Sequence, residues 1–157
     1  MIGILDYGMG NLSSIYNSLD YLGFNAKIVK NSEEVQEVTH LIVPGVGSFS
    51  EAMDNLKEKK LISAIESHVN SGKPYLGICL GMQLLATTGY ENGEKKGLGF
   101  IEGSVVPFKI DLHVPHVGWN NIDCLYQHPI LSNTNNIDFY FVHSFYIVPH
   151  EDVIVSA

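Results

Sequence analysis

Arginine is absent from this sequence of 157 residues, whose nine basic residues are all lysines scattered among seventeen acids. The formal net charge of -8 repels a phosphate backbone. No basic stripe, and no run in which aromatic and basic residues alternate, offsets that charge locally. We therefore expect no nucleic-acid partner.

Cysteine is scarce as well, since Cys79 and Cys124 are the only two. No signal segment precedes the apolar run that begins at Ile2, and no apolar run approaches the roughly 20 residues needed to cross a bilayer. These absences predict a soluble, cytoplasmic protein with reduced thiols and no membrane partner.

Linkers, internal repeats and low-complexity tracts are also missing, so nothing in the sequence divides the chain. Apolar residues make up 45% of the sequence, which is enough for one buried core without disulfides or metals. We expect a single domain over residues 1–157.

The periodicity of apolar residues changes near residue 100. Before it, short apolar runs that predict parallel strands alternate with apolar residues at helical spacing. The predicted strands there are residues 2–5, 26–29, 41–43 and 74–78, and the predicted helices are residues 12–22, 61–69 and 80–87. After it, the predicted strands are residues 100–106, 121–125, 138–142, 145–148 and 153–155. The pattern indicates an α/β first half and a β-rich second half.

Cys79 follows the fourth predicted strand, with Gly77 and Gly81 two residues away on either side. This spacing is typical of a nucleophile elbow, a sharp turn on which larger neighbours would collide with each other and with the substrate. The following helix would direct its partial positive charge at the sulfur, and the Leu80 N–H could donate to an oxyanion. A buried structural cysteine is the commoner alternative for a lone thiol, but the elbow favours catalysis.

A second glycine loop, residues 44–47 (Pro-Gly-Val-Gly), follows the third predicted strand. The carboxyl ends of parallel strands share one edge of the sheet, so this loop should lie near Cys79. Such a loop could turn another N–H toward the oxyanion, although many glycine loops after strands are ordinary turns.

Two other patterns are weaker. Residues 8–13 resemble a dinucleotide fingerprint, but Ser13 stands where the third glycine should be, and no acid that could bind a ribose follows the second strand. His113 and His116 lie three apart, yet Pro115 excludes a helix that presents both, and a metal needs three or four ligands. We expect no cofactor and no metal.

Residues 77–85 (Gly-Ile-Cys-Leu-Gly-Met-Gln-Leu-Leu) resemble the nucleophile segment of class I glutamine amidotransferases. Residues 44–47, 114–120 and 140–145 resemble, in the same order, segments of the glutaminase subunits of imidazole glycerol phosphate synthase. The resemblance spans the chain. It implies a flavodoxin-like, three-layer α/β fold with a mostly parallel central sheet.

The resemblance also implies a role for each matching residue. Cys79 would attack the carboxamide of glutamine, with Gly47 and Leu80 in the oxyanion site. The implied substrate-binding residues are Gln83, Glu91, His143, Ser144 and Phe145. The released ammonia would pass to a barrel-shaped synthase subunit in a heterodimer, which would form imidazole glycerol phosphate in histidine biosynthesis.

The family completes its catalytic triad with a late His-Pro-Glu segment, which has no match here. His150 precedes Glu151 without the proline, and we expect it to be exposed rather than the catalytic base. We therefore expect the domain to be incomplete at its carboxyl end and this chain alone to be inactive.

Three other functions stay open at this point. One is a similar glutaminase subunit that serves sugar amidotransfer in surface-polysaccharide synthesis, and another is a relative that only binds a partner. The third is a cysteine peptidase or chaperone with the same elbow. Gln83 and the segments around Trp119 and Tyr140 argue against the third.

Overall fold

The computed structural model of the chain describes residues 1–125, 128–131, 137–150 and 155–156. The helices are α1 (Leu12–Tyr21), α2 (Ser32–Glu37), α3 (Phe49–Glu58), α4 (Ile62–Asn70) and α5 (Leu80–Gln83). The strands of the first half are β1 (Ile2–Leu5), β2 (Ala26–Val29), β3 (His40–Gly45) and β4 (Tyr75–Cys79). The later strands are β5 (Ala86–Gly89), β6 (Lys95–Lys96), β7 (Ile101–Pro107), β8 (His116–Asn120), β9 (Asp123–Cys124), β10 (Phe139–His143), β11 (Phe145–Pro149) and β12 (Val155–Ser156).

The central sheet consists of four parallel strands in the order β2-β1-β3-β4. This is the strand order at the start of a flavodoxin-like sheet, in which the chain changes direction between β1 and β3. The carboxyl ends of β1, β3 and β4 therefore lie at one edge, where Gly45 pairs with Cys79. The predicted α/β fold with a parallel central sheet is confirmed.

Helices α2, α3 and α4 contribute to a core on one face of this sheet. Leu5, Val29, Leu41 and Val43 supply the sheet side of that core, and none of them is more than 1% exposed. The helices add Val35, Phe49, Ala52, Met53, Leu56, Ala64 and Ile65. The same cluster continues into the second half through Leu84, Ala86, Leu98 and Val105.

Helix α1 contacts β1 and β2 without adding a buried residue to this core. The Asn11 side chain caps its first turn by accepting a hydrogen bond from the Ser14 N–H at 3.2 Å. Gly23, at φ +78°, ends the helical turn in the left-handed conformation that glycine adopts readily. The predicted helix over residues 12–22 is confirmed.

The second half contains the predicted strands in short sheets. Strands β11, β7, β5 and β6 form one sheet in that order, while β10 pairs with β8 and β12 with β9. The predicted strand at residues 121–125 is reduced to Asp123–Cys124, and residues 153 and 154 lie outside the described part of the chain. Strand β8 has no counterpart among the predicted elements. The β-rich second half is confirmed.

The predicted helix over residues 80–87 is wrong, because α5 ends at Gln83 and β5 begins at Ala86. The carbonyl of Leu84 accepts a hydrogen bond from the Leu98 N–H, and that of Leu85 accepts one from the Ile101 N–H. These tertiary bonds replace the helical ones, and the β-branched side chain of Thr87 also favours a strand. The helix after the elbow is consequently a single turn.

No described helix is long and apolar enough to cross a membrane.

Candidate active site

Cys79 ends β4 and directly precedes α5, so the predicted strand, turn and helix around it are present. Its backbone angles, φ 56° and ψ -116°, lie outside the regions that L-residues normally occupy. Such strain persists only when the surrounding structure imposes it, and it is typical of a nucleophile on an elbow. The Cys79 side chain is exposed, which contradicts the alternative of a buried structural cysteine.

The two glycines of the elbow are required by close backbone contacts. A Cβ on Gly77 would lie 2.5 Å from the Gly81 carbonyl oxygen and from the Met82 nitrogen. A Cβ on Gly81 would overlap the carbonyl oxygen of Val43 on β3. The glycines therefore let α5 pack directly on the ends of β4 and β3.

Two tyrosines support the elbow from inside the protein. The Tyr7 hydroxyl donates to the Pro44 carbonyl at 2.8 Å, and the Tyr75 hydroxyl donates to the Gly81 carbonyl at 2.9 Å. Burial, and secondarily the nearby Cys79, raises the pKa of Tyr7 well above its usual range. Burial raises the pKa of Tyr75 in the same way, with a smaller effect from Tyr7. Both hydroxyls therefore remain neutral donors at physiological pH.

The two predicted oxyanion residues follow β3 and β4 at the same edge of the sheet. Leu80 is the first residue of α5, and within the described part of the chain its N–H has no hydrogen-bond acceptor. Gly47 has φ +107°, and a Cβ there would lie 2.6 Å from the Met9 side chain. Because α5 is one turn long, its dipole stabilises a Cys79 thiolate less than the predicted longer helix would.

Gln83 and Phe145, which lie 62 residues apart, meet beside the elbow. The Gln83 amide nitrogen donates to the Phe145 carbonyl at 3.2 Å. A carbonyl oxygen can only accept, so the amide of Gln83 has a fixed orientation with its oxygen on the other side. That oxygen has no partner among the described residues and is available to accept an N–H from a ligand.

His143 also donates to the Phe145 carbonyl, through Nδ1 at 3.0 Å, and its Nε2 lies 3.0 Å from Nδ1 of His116. The Ser144 carbonyl accepts a hydrogen bond from the Phe108 N–H. The structure thus brings Gln83, His143, Ser144 and Phe145 into one group. Nothing in the sequence predicts the contact of His116 with His143, because His116 is only one of two histidines near a proline there.

Glu91 is placed beside the glycine loop that contains Gly47. Its carboxylate accepts the Phe49 N–H at 2.8 Å, and its carbonyl accepts the Ser50 hydroxyl at 2.8 Å. Phe49 is the first residue of α3, so the carboxylate lies at the positive end of that helix. This contact holds the Glu91 carboxylate at Phe49, which is two residues after Gly47 in the chain.

None of the described histidines forms a hydrogen bond with the Cys79 thiol. His150 lies at the end of β11, where its ring is 59% exposed and 4.0 Å from the Glu102 carboxylate. Its expected exposure is confirmed. The described residues also contain no group of three or more side chains that could hold a metal ion.

Comparisons with known proteins identify the family. The model of the family described as glutamine amidotransferase class-I matches residues 3–157. A Campylobacter jejuni protein (subsp. jejuni serotype O:23/36, strain 81-176) named imidazole glycerol phosphate synthase subunit HisH 1 is 50% identical over 161 residues, covering 100% of this chain and 80% of that protein. The HisH subunit of Aquifex aeolicus (strain VF5) is 44% identical over 154 residues, covering 97% of this chain and 74% of that protein.

Among solved structures, one described as a crystal structure of glutamine amidotransferase has a TM-score of 0.72, with 21% identity. It covers 99% of this chain and 79% of that chain, and at this identity it supports the fold alone. The family match and the two sequence identities carry the assignment. This chain belongs to the class-I glutamine amidotransferase family, in the branch of the HisH subunits of imidazole glycerol phosphate synthase.

Proposed function

We propose that this chain is the glutaminase subunit of an imidazole glycerol phosphate synthase, which hydrolyses glutamine to glutamate and ammonia. The Cys79 sulfur attacks the carboxamide carbon of glutamine and forms a tetrahedral oxyanion. The C–N bond then breaks, ammonia leaves with an added proton, and water hydrolyses the thioester to glutamate. The strained, exposed Cys79 on its glycine elbow is the observation that carries this proposal.

The glutamine pocket of this proposal uses the residues that the family resemblance implies. The N–H groups of Leu80 and Gly47 stabilise the oxyanion, which is where negative charge develops. The oxygen of Gln83 accepts an N–H from the substrate, and Glu91 attracts its positive ammonium group. The backbone of residues 143–145 borders the rest of the substrate, because it is held against Gln83.

The partner would be a barrel-shaped cyclase subunit that consumes the ammonia. The β8–β10 ribbon offers a surface for it, because Val117, Trp119, Tyr140 and Val142 alternate with inward residues and are 54–71% exposed. Trp119 and Tyr140 also contact each other edge to face, with ring centroids 5.4 Å apart. Exposed aromatic pairs of this kind are common anchors of protein interfaces.

Proton delivery to the leaving ammonia would come from the histidine and glutamate of a His-Pro-Glu segment, as the family resemblance implies, and residues 1–157 contain no such segment. Among the described histidines, His143 and His116 bond to each other and His150 lies beside Glu102. Loss of one positioned general acid costs about 10²- to 10⁴-fold in rate. We therefore expect slow turnover from residues 1–157 alone.

The test is ammonia release from glutamine in the presence of the cyclase subunit, comparing this chain with one extended through a His-Pro-Glu segment. We expect the extended chain to be at least about 100-fold faster, to be stimulated by the cyclase, and to lose this activity in Cys79→Ala. Cys124→Ala is the matched control and should retain it. An active Cys79→Ala variant would rule out the proposed function.

A further inference from the structure

The His116–His143 pair is a chain of hydrogen bonds that ends at the glutamine pocket. His143 Nδ1 and Gln83 Nε2 both bond to the Phe145 carbonyl, at 3.0 and 3.2 Å. His143 Nε2 lies 3.0 Å from His116 Nδ1 on the neighbouring strand, where the two residues pair in register. Hydrogen bonds therefore connect His116 on β8, through His143 on β10 and the Phe145 carbonyl on β11, to Gln83 in α5.

The chemistry of the acceptor determines where the protons are. Because the Phe145 carbonyl can only accept, His143 Nδ1 must carry a hydrogen, and in the neutral ring Nε2 is then an acceptor. The hydrogen shared with His116 must therefore come from His116 Nδ1. The neutral pair has one arrangement that satisfies all three groups, and it requires an N–H donor at residue 116.

Aromatic rings enclose the pair and leave it little freedom to rotate. The His116 ring stacks on Phe141 with centroids 5.3 Å apart, and Phe108 meets His143 edge to face at 4.9 Å. Phe141 also lies 5.6 Å from His143. Packing fixes the ring planes, whereas the Phe145 carbonyl and the His116 donor together favour the tautomer of His143 that carries its hydrogen on Nδ1.

We propose that His116 is a positioning residue for glutamine binding. Its Nδ1–H holds His143 in the Nδ1–H tautomer, so that His143 keeps the Phe145 carbonyl, and with it the amide of Gln83, in the orientation that receives the substrate. This inference rests on the proposed function for its consequence, since it assigns Gln83 and Phe145 to the glutamine pocket. The hydrogen-bond chain itself does not depend on that assignment.

Asparagine and leucine at residue 116 form a matched pair, because the two side chains have the same branching and only the asparagine amide can donate near the position of Nδ1. His116→Phe adds a variant that keeps a ring against Phe141 without a donor. Saturation kinetics with a diazoketone analogue of glutamine separate the half-saturating concentration from the maximal alkylation rate at Cys79. Iodoacetamide, which needs no glutamine pocket, measures the reactivity of the thiol itself.

We expect the half-saturating concentration of the analogue to rise about three- to tenfold in His116→Leu and in His116→Phe, the effect of losing one neutral hydrogen bond. His116→Asn should stay within about twofold of the wild type, since its donor remains. The maximal rate and the iodoacetamide rate should be unchanged throughout. Equal impairment in the asparagine and leucine variants would overturn the proposal, as would no change in either, because both results leave the donor without a role.

Nitrogen-15 NMR of the imidazole rings tests the chain without glutamine. The wild type should show His143 with hydrogen on Nδ1, His116→Asn should retain that tautomer, and His116→Leu should show a mixture. If the wild type is not labelled by the analogue, the proposed function fails while the NMR comparison still decides the role of His116. An unchanged tautomer in His116→Leu would overturn that role.

Discussion

The two faces of the central sheet differ in how they are covered. On the face that contributes to the core with α2, α3 and α4, Leu5, Val29, Leu41 and Val43 are at most 1% exposed. On the other face, Ile28, Ile4, Ile42 and Leu76 lie side by side across the four strands. Ile4 in the middle is 0% exposed, whereas Ile28 at one end is 37% exposed and Leu76 at the other is 43% exposed.

Because of this difference, the packing that supports the elbow comes mainly from the core face of the sheet. Strand β4 lies at the end of the sheet in the described chain, and Leu76 and Ile78 leave a substantial part of its outer face in solvent. The opposite side of the same elbow is closed by Leu80 and Tyr7, which belong to the core. Cys79 therefore lies where a well packed face meets a partly open one.

The largest expected effect is the difference in free energy of unfolding between truncating a leucine in the core and truncating one on the partly exposed face of the sheet. Leu56 in α3 is 0% exposed and Leu76 is 43% exposed. We expect Leu56→Ala to lower the free energy of unfolding by about 3 kcal/mol, because it leaves a cavity, and Leu76→Ala to lower it by less than about 1 kcal/mol. Urea denaturation of the two variants measures both. Equal losses would mean that the outer face is covered in solution.

A smaller effect is expected from Tyr7, on the buried side of the elbow, as a dependence of the free energy of unfolding on pH. Because the pKa of Tyr7 is raised in the folded state, the unfolded state loses its proton first as pH rises. The stabilisation is complete below pH about 10 and is lost above it, by about 1.4 kcal/mol at pH 11. Tyr7→Phe should therefore lose less stability than the wild type between pH 10 and 11.

Tyr21 supplies the control for this measurement, because it lies at the end of α1 and is 90% exposed. Tyr21→Phe should follow the wild type over the whole pH range. At neutral pH, Tyr7→Phe should also be less stable by about 1 kcal/mol, since the Pro44 carbonyl loses its donor. A Tyr7→Phe variant with the alkaline slope of the wild type would show that Tyr7 is not buried as described.

The smallest expected change in stability comes from Trp119→Ala on the β8–β10 ribbon. Trp119 is 71% exposed, so the free energy of unfolding should change by less than about 0.5 kcal/mol. If the ribbon is the partner surface, affinity for the cyclase subunit should fall by at least about tenfold, as for an interface anchor. Calorimetric titration measures this affinity, and the comparison is Tyr21→Ala, which removes an exposed aromatic side chain from α1. Unchanged affinity would move the interface elsewhere.

The sequence predicts the central sheet well because buried parallel strands are continuous apolar runs, as in Ile2–Leu5 and residues 41–43. It misses α3, although Ser48 and Glu51 have the spacing of a capping box and the Glu51 N–H does bond to the Ser48 side chain. The helix predicted after Cys79 fails for another reason. Its carbonyls bond to the segment that begins at Gly97, which no local pattern reveals.

The candidate site divides in the same way between local and distant contacts. Cys79 and its elbow glycines can be predicted because the residues that define the turn are adjacent in sequence. The supports cannot, since Tyr7 reaches Pro44 across 37 residues and His116 reaches His143 across 27. Those partners become neighbours only after the strands have paired.

Covalent labelling shows whether Cys79 is the nucleophile of a glutamine pocket. The chain is treated with a diazoketone analogue of glutamine, and the modified peptide is identified by mass spectrometry, with glutamine as competitor. We predict a single adduct on Cys79 that glutamine suppresses, with Cys124 unmodified although it is also exposed. Preferential labelling of Cys124, or labelling of Cys79 that glutamine does not suppress, would contradict the account.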